Sequence, residues 1–136
     1  MLTQLRAEAL ARINTTPGCT LSTIGPAGVQ ASVVTCVVHA GCVYMLVPST
    51  LDHLFNIEYE LEVVLTSATW QLRGAALAIG GSAGLHGTAP AAIQIHACAV
   101  GATLVEVFPM VMHLEPAGRR RYRETIDFAV HGLICR

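Results

Sequence analysis

The chain contains no lysine; all eight of its basic residues are arginine. Chemistry that needs a lysine amine is thereby excluded: a Schiff base to pyridoxal phosphate, a Walker A phosphate loop, and lysine acid–base catalysis. Charge of either sign is scarce. Asp, Glu, Lys and Arg make up 12% of the 136 residues, against about 25% in ordinary domains. None falls between Arg12 and Asp52, and none between Arg73 and Glu106. The cysteines (Cys19, Cys36, Cys42, Cys98, Cys135) are odd in number and form no CxxC pair. That pattern argues for buried, reduced thiols and against a disulfide framework. The start lacks a basic segment followed by an apolar run, so no secretory signal is expected and the chain reads as cytoplasmic.

What the chain has in excess is apolar material: 53% hydrophobic residues and a mean hydropathy of +0.55. Its length fits a single domain over residues 1–136, and a domain of this size buries a substantial core without metals or disulfides. So apolar a composition leaves too little polar residue to clothe one copy, and a homodimer is expected. A membrane span over residues 31–47 is the competing reading. That run is rich in β-branched residues, is interrupted by Ser32, Thr35, His39 and Gly41, and falls short of the roughly 20 residues a spanning helix needs. Two covered strands joined by a tight turn account for it better.

Leu2, Leu5, Leu10 and Ile13 make one helical stripe, ended by Thr15-Thr16-Pro17-Gly18. Strands are expected over 19–24, 29–39, 42–47, 61–66, 70–79, 104–114 and 122–130, with turns at Gly25–Gly28 and Ala40–Gly41. Pro109 within the sixth of these requires an edge or a bulge. Ser49 or Thr50 can cap a short helix through Leu54, Phe55 and Ile57, with Asp52 near its positive end. Residues 80–90 read as a Gly/Ala/Ser loop, and 91–100 as either a strand or a short helix. Six or seven strands with sparse helix predict a mainly β fold, a small barrel.

Few residues converge on chemistry. Cys36 and His39 lie three apart on a strand and point to opposite faces; His96 and Cys98 share a face but are only two ligands, so no metal is expected. Arg119, Arg120, Arg121 and Arg123 cluster around Tyr122. With a net charge of −1 this reads as a solvated turn, or as arginines of one subunit reaching a ligand of its partner, and not as a nucleic-acid surface; the turn is favoured. Gln71 and Arg73 share one strand face, and Trp70 and Leu72 the other. That pattern fits an exposed face opposite a core face, or a polar wall on a ligand groove.

Six segments stand in a telling order: Leu21-Ser22-Thr23-Ile24 through Gly28, Val43-Tyr44-Met45-Leu46-Val47-Pro48-Ser49-Thr50, and His53 with Asn56-Ile57. Glu62-Val63-Val64-Leu65, Leu72-Arg73-Gly74-Ala75-Ala76 and Val107-Phe108-Pro109-Met110-Val111-Met112-His113-Leu114 follow. In order and spacing they resemble the FMN-binding split β-barrel family related to pyridoxamine 5'-phosphate oxidase. The resemblance implies a homodimer with flavin mononucleotide (FMN) between subunits, and a flavoprotein of oxidoreductase type. By position, Val33, Val34, Thr35, Leu46 and Val47 would line the cofactor, largely through backbone. Ser49, Thr50 and His53 would face its phosphate, and Gln71 with Trp70 the ring. His53 reads otherwise as a solvent-exposed helix residue, and Ser49 and Thr50 as plain caps. Family members generally carry Arg and Lys just before the short helix, where this chain has Asp52 and His53, and an arginine where it has Val33. A non-catalytic dimer that binds haem or another ligand, or that has lost the cofactor, is the alternative.

Overall fold

The computed structural model describes residues 2–79, 90–115 and 124–128. The elements run α1 (Leu2–Thr15), β1 (Cys19–Gly25), β2 (Gly28–His39), β3 (Cys42–Pro48), α2 (His53–Tyr59), β4 (Glu62–Thr66), β5 (Trp70–Ile79), α3 (Ala91–Ala99), β6 (Ala102–Leu114) and β7 (Glu124–Asp127). The strands form one antiparallel sheet in the order β3-β2-β1-β4-β5-β6-β7, and a further β3–β6 pairing closes the first six into a barrel. β6 can serve both partners because it is long. Ala102 to Val107 pairs with β3, Val111 to Leu114 with β7, and β5 runs along most of its length. The mainly β barrel expected from the sequence is the fold observed.

Local chemistry sets the corners. At the β2–β3 hairpin Ala40 and Gly41 both take positive φ, 50° and 79°, the mirror-image turn whose twist matches paired strands. Pro109 sits at the β-bulge where the β5–β6 register shifts between Arg73 and Gly74, and it pairs with Gly74. A Cβ on Gly74 would lie 2.6 Å from the Phe108 carbonyl oxygen, so the two backbones approach as only glycine permits.

The barrel interior is filled by inward residues of every strand, including Leu21, Val34, Val47, Leu65, Leu72 and Met112. α1 closes one end with Ala9 and Ile13. It is fastened there by the Trp70 indole donating to Thr16 Oγ1 (3.1 Å) and by Arg12 donating to the carbonyls of Thr69 (3.2 Å) and Glu115 (3.1 Å). α2 closes the other end and adds Ile57. α3 lies outside, where Ala97 joins Cys42, Tyr44, Leu46, Ile79 and Leu104 in a second apolar cluster.

Of three local expectations, one left open is decided and two are corrected. Residues 91–99 are helix; Ala-rich sequence favours it, and one buried residue, Ala97, suffices to seat it. The cap of α2 is Asp52, not Ser49 or Thr50, and its side chain makes no capping bond. Ser49 instead ties β3 to β6, its hydroxyl 2.9 Å from Thr103 Oγ1 and its N–H donating to the Gly101 carbonyl. Third, Cys42 is disulfide-bonded, so reduced thiols are found at Cys19, Cys36 and Cys98 and not throughout. The arginine cluster at 119–123 and the loop at 80–89 lie outside the described residues. Among those described, no helix is long and apolar enough to cross a membrane.

Candidate functional site

Because strand side chains alternate, the register fixes which residues share the outer face. Val33, Thr20, Thr66, Gln71, His113 and Thr125 are paired strand by strand and form one transverse row. Ala31, Ser22, Val64, Arg73, Val111 and Asp127 form the next. The first row carries no carboxylate or arginine, yet five of its six members can hydrogen-bond. His113 Nδ1 is 3.0 Å from Thr125 Oγ1. Gln71 and His113 make a ridge between two small cavities of about 190 and 100 Å³. In the second row Arg73 is held by Glu62, Nε to carboxylate at 3.0 Å. Toward β1 and β2 the face turns apolar: Ile24, Val29 and Val33 are 59%, 76% and 73% exposed.

The residues singled out by resemblance divide between this face and the core. Val33, Thr35 and Gln71 point outward and are exposed; Ser49 and Thr50 are exposed at the end of β3. Val34, Val47 and Trp70 point inward and are buried, so they could meet a ligand through backbone alone. Leu46 pairs with outward Thr35 but lies under α3. Val33 and Gln71 share a row with β1 and β4 between them, three strand spacings or roughly 14 Å. Thr20, Thr66 and His113 belong to the same row and went unmarked in the sequence. Only the pairing of distant strands brings them together.

His53 is 1% exposed and turned into the barrel end. Its Nδ1 shares a 2.8 Å hydrogen bond with Thr23 Oγ1. Asn56, one helical turn on, donates to Thr23 Oγ1 (3.1 Å) and to the Gly28 carbonyl (3.0 Å) and accepts from the Ala27 N–H (3.0 Å). His53 Nε2 is buried without a hydrogen-bond partner. Burial lowers the His53 pKa, and the neighbouring Asp52 charge opposes that more weakly. The ring is thus a neutral structural group beneath α2. A signal was present in the sequence: His53, Asn56 and Ile57 follow the i, i+3, i+4 spacing of a buried helical face.

The donor set decides how a dianionic phosphate would fare near Ser49 to His53. Among the described residues the arginines are Arg6, Arg12 and Arg73. Arg12 is bound to Glu8 and two carbonyls, and Arg73 to Glu62. Arg6 stands beside Gly41, at the opposite end of β3. No described cation therefore reaches the β3–α2 loop, and exposed Asp52 places a negative charge there. These residues do not fit a phosphate clamp. The outer row, by contrast, presents hydrogen-bonding side chains with no carboxylate or arginine among them. Among the described residues no three His, Cys, Asp or Glu side chains converge on a metal site.

No family model and no curated protein matches the sequence. Solved structures do. A protein related to general stress protein 26 of B. subtilis (pyridoxinephosphate oxidase family), from Clostridium acetobutylicum, superposes with a TM-score of 0.66 at 10% identity over 93% of this chain and 96% of that one. The chain has the fold of the pyridoxamine 5'-phosphate oxidase-related split barrels. General stress protein 26 from Bacillus anthracis str. Sterne gives this split barrel a TM-score of 0.61 at 12% identity, covering 91% of this chain and 98% of that one. A heme binding protein from Mycobacterium smegmatis gives 0.61 at 18% identity, covering 93% of this chain and 58% of that one. At such identities the likeness is one of fold.

Proposed function

We propose that this split barrel works as a homodimer that binds a flavin-class ring on the outer face, with oxidoreductase character and little contribution from a phosphate clamp. The observation that carries the reading is the uncharged transverse row from Val33 to Gln71 and His113. Exposed Ile24, Val29 and Val33 form an apolar strip of the kind that a partner covers. Val33 and Gln71 lie too far apart in one chain for both to touch the same ring edge. A second copy would bring its Gln71 toward the Val33 and Thr35 of the first. In such a site the chain binds and orients the ring and keeps water from it, and the bound flavin supplies the electron chemistry.

The lack of a cation near the β3–α2 loop among the described residues gives the reading a sharp test. Titration with FMN and with riboflavin, followed by absorbance and fluorescence, should give dissociation constants within about threefold, since no described arginine is placed to make a charge-assisted bond that distinguishes them. Gln71→Ala and His113→Ala should each weaken both ligands by about two- to tenfold, the worth of one hydrogen bond, without lowering Tm. No uptake of either ligand would overturn the reading. FMN binding a hundredfold tighter than riboflavin would overturn its phosphate half.

One observation favours haem as a second reading. His113 Nδ1 is engaged by Thr125, which leaves Nε2 as a potential iron ligand on the same face. A Soret band on haem addition that His113→Ala abolishes would select it.

A further inference from the structure

The sulfurs of Cys19 and Cys36 lie 2.6 Å apart inside the barrel. Non-bonded carbon atoms settle at roughly 3.5–4.0 Å, and sulfur is larger; an S–S bond is about 2.05 Å. The pair is thus closer to bonding distance than to ordinary contact. The backbone holds it there. Cys19 pairs with Val34 on β2, and Cys36 is the next inward residue beyond Val34. Both are buried, at 2% and 6% exposure, in the core cluster that Ala9 and Ile13 of α1 complete. Seven register pairs join β1 to β2, so the sulfurs stay adjacent without any rearrangement. The outer row has no use for them, because they face the opposite side of the sheet.

We propose that Cys19 and Cys36 are a redox-modification site, oxidised by a peroxide-class oxidant to a disulfide that staples β1 to β2. The two thiols differ in acidity: the bond from Cys36 pulls the Cys19 thiol below its usual pKa, and that bond together with burial pushes Cys36 up. Cys19 is therefore the attacking sulfur. Its thiolate attacks the peroxide; an S–O bond forms, the O–O bond breaks, and one water leaves. Cys36 then attacks the Cys19 sulfur; the S–S bond forms, the S–O bond breaks, and a second water leaves with the Cys36 proton. Two thiols lose two electrons and two protons, and the peroxide becomes two waters. Hydrogen peroxide is small enough to enter through local opening of the end that α1 covers.

The test uses the full chain, reduced with dithiothreitol, freed of it, and treated with hydrogen peroxide at one equivalent. The protein is then unfolded in an alkylating agent and mapped by mass spectrometry. No arginine or lysine lies between Arg12 and Arg73, so chymotrypsin must be added to trypsin to separate the two cysteines. The expected result is a Cys19–Cys36 crosslinked pair lighter by two hydrogens, with Tm raised by roughly 5–15 °C, as closing a hairpin-sized loop predicts. Cys42 carries a disulfide of its own, so the same treatment of Cys19→Ser and Cys36→Ser isolates the pair's share of the Tm change. In Cys36→Ser a dimedone-reactive sulfenic acid should persist on Cys19. Full alkylation of both thiols after peroxide treatment would overturn the proposal, and so would oxidation confined to exposed Cys98. The wild-type peptide map decides even where a serine variant fails to fold.

Discussion

Val33 and Gln71 stand in one transverse row of the sheet, on the same outer face, with Thr20 and Thr66 between them. The arrangement makes dimerisation and ring binding separable. Val33 is 73% exposed, so Val33→Glu should change the stability of a single copy by no more than about 0.5 kcal/mol. Placed in a dimer interface, the same carboxylate would be buried without a partner. Light scattering should therefore show monomer for Val33→Glu and dimer for wild type and Gln71→Ala. Flavin uptake should fall in both variants. A Val33→Glu protein that stays dimeric and binds as before would remove the shared-site account.

The Asn56 side chain holds the β1–β2 turn against α2 through three hydrogen bonds, to Ala27, Thr23 and Gly28. Asn56→Ala leaves these groups unsatisfied in a buried place, at about 1–3 kcal/mol for each that water cannot reach. Denaturant unfolding should show a loss of roughly 2–5 kcal/mol. Gly25→Ala should injure the same contact from the other side. Its Cβ would sit 2.7 Å from Asn56 Oδ1 and 3.0 Å from Asn56 Cα, and overpacking of this kind costs about 1–3 kcal/mol. The two losses should not add, because either substitution alone loosens the joint. Strict additivity in the double variant would show that they act separately.

Much of the barrel was legible in the sequence, for identifiable reasons. Long β-branched runs broken by Gly25–Gly28 and Ala40–Gly41 mark β1 to β3, and Pro109 marks a bulge that is indeed present. α3 was not legible. Its residues are mostly small and apolar on every side, so neither a two-residue nor a 3.6-residue period stands out. The candidate site was legible only in part. Gln71 and Val33 could be marked by resemblance, but their common row depends on β1 pairing with β4, and a slip of one residue would have turned every side chain to the other face. His53 illustrates the limit of position matching: its place along the chain suggested a ligand contact, while its helical phase with Asn56 and Ile57 turned the ring inward. Cys19 and Cys36 are seventeen residues apart, and no local pattern announces their contact.

The buried imidazole predicts an acid weakness. Burial holds the His53 pKa below its usual value of about 6.5. A depressed folded-state pKa means that the stability contribution is present above the unfolded pKa and is lost as pH falls toward and through the folded one. Stability should therefore decline below about pH 6.5, with the cation forced into a site where Nε2 has no partner. His53→Asn keeps an acceptor near Thr23 and cannot titrate. Its urea midpoint should be flat over pH 7 to 5 relative to wild type. Parallel profiles for the two proteins would show that His53 is not the titrating group.

Glu106 predicts the opposite slope. It lies on β6 between Tyr44 of β3 and Leu77 of β5, 5% exposed, beside the cluster under α3. Desolvation raises its pKa above the usual carboxylate value of about 4.3. A raised folded-state pKa contributes stability that is full below the unfolded value and is lost as pH rises through the folded value. Glu106→Gln preserves the shape and removes the charge. It should match wild type near pH 4 and exceed it in stability at pH 7 to 8, with the gap opening just above the ordinary carboxylate range. A Glu106→Gln protein less stable than wild type at pH 7 would mean that the carboxylate is held by a favourable partner and that desolvation does not dominate at this position.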